Sequence, residues 1–168
     1  MRVAVTGTPG TGKTTAVERL DVDLETLHLN EVIREEGLTA GRDEDRDSAI
    51  ADLDAVAEYL DDWDDVLFES HLAHYFDADR VVVLRCRPDV LEERLRERGE
   101  PPSTAEENAE SEALDVILAD AVDQHGEDAV YEIDATDMTP DETAAAIDAV
   151  VAGDRDPAAG TVSFTDYL

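Results

Sequence analysis

The stretch that decides the fold is "VTGTPGTGKTT", residues 5–15. The apolar run before it, "RVAVTG" (2–7), reads as a buried strand ending in glycine. "GKTTAVERL" (12–20) after it reads as a helix. Gly7, Gly12, Lys13 and Thr14 fit the spacing G-x-x-x-x-G-K-[ST], and the strand before and helix after supply its required context. Glycines let such a loop turn tightly, so that successive backbone N–H groups point inward at phosphate oxygens. The helix N-terminus adds partial positive charge. Lys13 is then expected to reach the β- and γ-phosphates of a nucleotide, and the Thr14 hydroxyl to hold Mg²⁺. Lys13 is also the sole lysine in 168 residues, beside 12 arginines and 44 acidic residues. A slim ammonium fits a narrow phosphate loop where a planar guanidinium is bulkier, so its retention points to a working nucleotide site.

Outward from this loop, strands and helices alternate. "TLHL" (26–29), "DVLFES" (65–70), "RVVVLR" (80–85) and "DAVYEID" (128–134) read as further strands, mostly apolar throughout. That pattern predicts an α/β fold, a five-stranded parallel sheet with helices on both faces. Ile50, Leu53, Ala57 and Leu60 recur at helical spacing, residues 88–98 form an arginine-rich helix, and a long acidic helix is expected from about Ala105 to Asp123. Thr139 resembles an N-cap, with Pro140 in first helical position and Gly153 as a stop. Residues 1–153 are expected to form a single domain. Residues 154–168 read as a tail whose aromatic end, "VSFTDYL", either docks on the body or is disordered.

A hydrophobic content of 42% suffices for a core, so global disorder is not expected despite a net charge of −31. The carboxylates are spread along the whole chain. They repel phosphates and anionic lipid, so direct docking on nucleic acid or membrane is disfavoured. Abundant Asp with almost no Lys resembles the proteome of a salt-accumulating halophile. Cys86 stands alone, which rules out an intrachain disulfide and suggests no Cys-based metal site. No signal peptide and no apolar run near the ~18 residues of a membrane span are visible, so a cytoplasmic location is expected.

Other candidate residues follow from position. Glu69 ends an apolar strand, where a carboxylate beside a phosphate loop holds Mg²⁺ or is simply solvated. His71, two residues on, lies where open α/β sheets bind ligands; His71 and His74 are alternatively packing residues. Arg94 and Arg98, four apart on the helix, can converge on one anion, or pair with neighbouring glutamates. Arg34 falls in the polar segment where a second substrate would enter, with Arg42 and Arg46 as weaker candidates.

Together, "TGTPGTGKTT", "LNEVIREEGL" with "GRDEDRD", "ESHLAHYFDADRVVVLRCRPDVLEERLRERG" and "ENAESEALDVIL" resemble the adenylate kinase isoenzyme 6 family in its archaeal form. The resemblance implies a nucleoside monophosphate kinase-like fold with an NMP-binding segment at about 30–50 and a lid at about 97–107. It implies that Gly10, Gly12, Lys13, Thr14 and Thr15 hold the ATP phosphates and that Arg98 is the lid arginine on ATP. It places Glu69 and His71 on the family's acid-x-His element. The implied reaction is ATP plus AMP giving two ADP, reversibly, with Mg²⁺. The family is also associated with ATPase activity and small-subunit maturation through a ribosomal protein, which is a second reading compatible with the first. A P-loop kinase for another small acceptor is a third.

Self-repulsion at −31 is weakly screened in dilute buffer. The melting temperature is therefore expected to rise steeply between ~0.1 M and ~2 M KCl, as the Debye length shrinks from about 10 Å to under 3 Å. An unchanged melting temperature across that range contradicts this.

Overall fold

Five strands carry the fold: β1 (Arg2–Thr6), β2 (Glu25–His28), β5 (Val66–Glu69), β6 (Arg80–Arg85) and β7 (Val130–Asp134). The computed structural model describes residues 1–44 and 48–168. The five strands make one parallel sheet in the order β2-β5-β1-β6-β7. A separate antiparallel hairpin, β3 (Thr39–Asp43) with β4 (Ser48–Ala51), follows α2 (Leu29–Glu35).

Successive side chains of a strand point to opposite faces, so the uniformly apolar strands feed two cores. On one face Ala4, Phe68, Val81 and Val83 pack with Leu29 and Ile33 of α2, Val56 and Leu60 of α3 (Leu53–Leu60), and Leu118 and Ala121 of α6 (Val116–His125). On the other, Val3, Val5, Leu67, Val82 and Leu84 pack with Ala16 and Val17 of α1 (Lys13–Val17), and Ile147 and Val150 of α7 (Pro140–Ala152). A third cluster joins Cys86 to Leu91 and Leu95 of α4 (Pro88–Glu97) and Ala105 of α5 (Pro102–Ala113). The parallel five-stranded sheet covered on both faces is as expected. Among the described residues no helix is long and apolar enough to cross a membrane.

Several elements differ from the sequence reading. The helix after the phosphate loop ends at Val17; the next residues tighten into three-residue turns, with Arg19 N–H donating to Ala16 O and Leu20 N–H to Val17 O. Ile50 lies on β4, not on the following helix, because Asp52 caps α3 by accepting from Ala55 N–H at 3.2 Å. The long acidic helix is two helices, α5 and α6. They part at Asp115, the one non-glycine residue with positive φ (57°) among those described. Its carboxylate bonds the Arg85 guanidinium. The Thr139 cap, Pro140 and the Gly153 stop of α7 stand as read, with a reciprocal Thr139–Glu142 capping box. The terminal segment docks. Ala158 bridges to Tyr131 beside β7, Phe164 is buried, and the Tyr167 hydroxyl donates to Glu92.

One buried residue is conspicuous for its chemistry. His74, in the short turn Ala73–Tyr75, is 1% exposed. Its Nδ1 is 2.7 Å from Thr6 Oγ1, while Nε2 has no hydrogen-bond partner and lies 3.9 Å from an Asp120 oxygen. Burial pushes its pKa down to about 4, against a raising contribution from Asp120 and a further lowering one from His125. An unfolded histidine titrates near ~6.5, so below that pH the unfolded chain binds a proton that the fold refuses. This residue's contribution to stability is therefore intact above ~6.5 and is lost as pH falls towards 4. The ring Cε1 proton followed by NMR in concentrated KCl is expected to titrate near pH 4. A midpoint at or above ~6.5 contradicts the buried neutral assignment.

Candidate functional site

The carboxyl ends of β1 and β5 open onto one cleft of about 630 Å³. The loop from Gly7 to Gly12 forms its floor. A side chain at Gly7 is impossible without rearrangement, because a Cβ there would lie 2.7 Å from Leu84 O and 2.9 Å from Thr11 Oγ1. At Gly10 φ is +96°, and a Cβ would press on Leu91 and Leu95 of α4. Helix α4 thus packs directly against the turning loop.

Lys13 is folded into this loop. Its Nζ donates to Gly7 O at 2.7 Å and to Thr8 O at 3.1 Å. Burial pulls its pKa down to about 8, with Glu69 and Glu112 acting to raise it and Arg98 to lower it. Thr14, one residue on, donates its hydroxyl to Glu69 Oε1 at 3.1 Å. The same oxygen is 2.8 Å from His28 Nδ1. Thr14 and Glu69 therefore offer two hard oxygen donors beside the loop. Among the described residues no cluster of three His, Cys, Asp or Glu side chains is disposed to hold a metal. Two protein oxygens suit Mg²⁺, which is commonly bound through one or two side chains plus substrate phosphates.

His71 is half-buried on the same cleft. Burial, with Lys13 and His74 nearby, pushes its pKa down to about 4, so it faces the cleft as a neutral imidazole. Arg98 follows α4, and its side chain is 58% exposed, with Glu100 at 3.8 Å. Arg98 and Lys13 are the arginine and lysine side chains that line the cleft among the described residues. Arg98 also lines a second cavity of about 500 Å³ beside the loop, with Arg94, Met138 and Pro140. Gly10, Gly12 and Thr15 border both cavities.

Arg94 does not share the larger cleft. Its guanidinium reaches the carbonyl of Gly10 at 3.3 Å and Cys86 Sγ at 3.5 Å, bracing the loop from α4. Arg34 is exposed on α2 and does not line the cleft; Asn30, one turn earlier, does. Arg42 is on β3, and Arg46 lies outside the described residues.

Two groups at the site escaped the sequence reading. His28 sits opposite Glu69 in the β2–β5 register, so assigning the strand order first would have paired them. Glu112, on the acidic helix, is buried and accepts from Thr8 Oγ1 (3.4 Å), Arg85 Nε (3.1 Å) and Cys86 N–H (2.9 Å). Nothing in a run of carboxylates marks out the one that turns inward.

Known proteins agree with this architecture. Residues 3–115 match the family described as an AAA domain. A "Putative adenylate kinase" from Natronomonas pharaonis is 66% identical over all of both chains. A protein of the same name from Halobacterium salinarum is 60% identical, again over all of both. Another from Methanocaldococcus jannaschii is 35% identical over 81% of this chain and 77% of that one. Among solved structures, shikimate kinase from Bacteroides thetaiotaomicron superposes with a TM-score of 0.62, covering 90% of this chain and 98% of that one. At 17% identity that likeness concerns the fold alone. Full-length identity to the archaeal relatives, on a P-loop kinase fold with this loop and cleft, shows that the chain belongs to the archaeal adenylate kinase-type family they represent.

Proposed function

We propose that this protein transfers the γ-phosphoryl group of ATP to AMP, reversibly, giving two ADP. The observation that carries the reading is a phosphate loop shared by two cavities, of about 500 and about 630 Å³, with Arg98 on the wall of both. Each is within the size range of small-molecule sites. Two nucleotides meeting head to head across one cation need such an arrangement. The names of the relatives support the same substrates.

In this reading ATP lays its triphosphate along Gly10, Gly12, Lys13, Thr14 and Thr15, with its adenosine in the smaller cavity. Lys13 exchanges its two loop carbonyls for β- and γ-phosphate oxygens, and the added negative charge favours its protonated form. Thr14 and Glu69 would hold Mg²⁺, which would supply neutralisation of the phosphate charge. AMP occupies the larger cleft, with Arg34 brought to its phosphate by the segment around residues 30–50. Neutral His71 hydrogen-bonds the acceptor side without adding charge. An AMP phosphate oxygen attacks the γ-phosphorus in line, and the bond to the β-bridging oxygen breaks. Arg98 stabilises charge on the group in transfer, and Arg94 keeps the loop in shape. The segment at about 97–107, stiffened by Pro101 and Pro102, acts as a lid that excludes water as a competing acceptor. The acidic surface suits a salt-rich cytoplasm.

ADP formation followed in concentrated KCl is expected to depend on AMP. Phosphate release without AMP would indicate an ATPase instead, and turnover only with a non-nucleotide acceptor would indicate a different kinase. Arg98→Ala is expected to lower kcat/KM by about 10²–10³, on the scale of losing one preorganised oxyanion donor. Arg96→Ala, whose side chain is paired with Glu92 at 2.7 Å on the outer face, is expected to change it little. Equal small effects from both would remove Arg98 from the transfer machinery.

A further inference from the structure

Arg85 ends β6 and is 1% exposed. Its Nε donates to Glu112 Oε1 at 3.1 Å, its Nη1 to Glu132 Oε2 at 2.7 Å, and its Nη2 to Asp115 Oδ1 at 2.5 Å and Glu112 O at 3.0 Å. The Phe164 ring covers the guanidinium, 5.3 Å from Cζ to the ring centroid. Removing one arginine and two glutamates from water is costly, and an apolar filling of the same space is often no less stable. A cluster of this kind is better understood through what it holds in place.

It holds two things. Outward, Glu132 Oε1 accepts from Thr161 N–H (2.8 Å), Thr161 Oγ1 (2.9 Å) and Val162 N–H (3.2 Å), so the C-terminal segment is tied to β7 by a carboxylate as well as by the Ala158 bridge. Inward, Glu112 accepts the Thr8 hydroxyl at 3.4 Å and Cys86 N–H at 2.9 Å. The Thr8 carbonyl is one of the two that receive Lys13 Nζ, the other being that of Gly7. Gly7, just before Thr8, lies close to the end of β6, where an added Cβ would come within 2.7 Å of Leu84 O. A continuous run of direct contacts therefore leads from the C-terminal segment to the phosphate loop, and none of Phe164, Thr161 or Glu132 lines either cavity of the site.

We propose that the C-terminal segment, through Glu132, Arg85 and Glu112, sets the shape of the phosphate loop, with Glu112 as a positioning residue that acts on Lys13 through Thr8. The proposal rests on the reading of that loop as the ATP site. It assigns residues 158–164 a part in nucleotide binding although they touch no nucleotide.

The test is a double-mutant cycle read by calorimetric ATP affinity in concentrated KCl, with the melting temperature measured separately for each variant. Glu112→Gln is expected to weaken ATP about tenfold, since the carboxamide cannot accept from both Cys86 N–H and its other partners. Adding Thr8→Val is expected to cost little more, because both changes break the same link. Phe164→Leu is expected to weaken ATP about threefold, for loss of the aromatic face over Arg85. Phe164→Tyr keeps that face, and the residue borders a cavity of about 210 Å³, so it is expected to retain parental affinity. Should Glu112→Gln fail to fold, the two Phe164 variants carry the test. Additive effects of Thr8→Val and Glu112→Gln, or a Phe164→Leu protein with lowered melting temperature and unchanged ATP affinity, would overturn the brace while leaving the ATP site standing. A parent protein that binds no ATP would overturn both.

Discussion

The ammonium of Lys13, held by the carbonyls of Gly7 and Thr8, is the contact around which the phosphate site is organised. It fixes a buried positive charge at the carboxyl edge of the sheet, in a loop whose tightness excludes a side chain at Gly7. Everything around it serves that loop. Strands β1 and β6 bring Gly7 against Leu84, α4 presses Leu91 and Leu95 on Gly10, and Arg94 ties Gly10 O to α4. The carboxylates of Glu69 and Glu112 lie near enough to favour the charged form of Lys13 against its burial. The loop is thus electrostatically prepared for an anion while its own carbonyls occupy the cation.

The wider charge distribution sharpens this point. In a chain of net charge −31, most arginines near the sheet hold the fold together. Arg80 donates to the carbonyls of Val150 and Val151 at the end of α7, Arg85 sits in its carboxylate cluster, and Arg2 reaches Leu60 O. Arg96 is paired on the surface. Arg98 differs: it stays largely exposed, on the wall of both cavities, with a loose contact to Glu100. A site with so few cations depends on where each one stands more than on the summed field, which is unfavourable to nucleotide anions.

Much of this was legible in the sequence, for identifiable reasons. The phosphate loop, the apolar strands and the Thr139–Gly153 helix are local signals, written within a few residues of one another. What was not legible depends on distant parts of the chain. The acidic helix breaks because Asp115 turns back to Arg85, thirty residues earlier in sequence. Ile50 belongs to a hairpin strand, which its helical spacing to Leu53 and Leu60 disguised. His28 and Glu69 meet only because β2 and β5 are neighbours. The tail's order depends on Glu132 and Arg85, which read as ordinary strand residues. Arg34 has only its place in a polar segment to mark it; it is exposed on α2 and outside the lining of the cleft.

The central claim is that Lys13 is the charge around which phosphoryl transfer is organised. Lys13→Ala tests it most directly, with ADP formation from ATP and AMP measured beside the melting temperature of the same sample in concentrated KCl. The account predicts a folded protein, with a cooperative melting transition, that has lost transfer. A folded variant that keeps most of the parental turnover would contradict it.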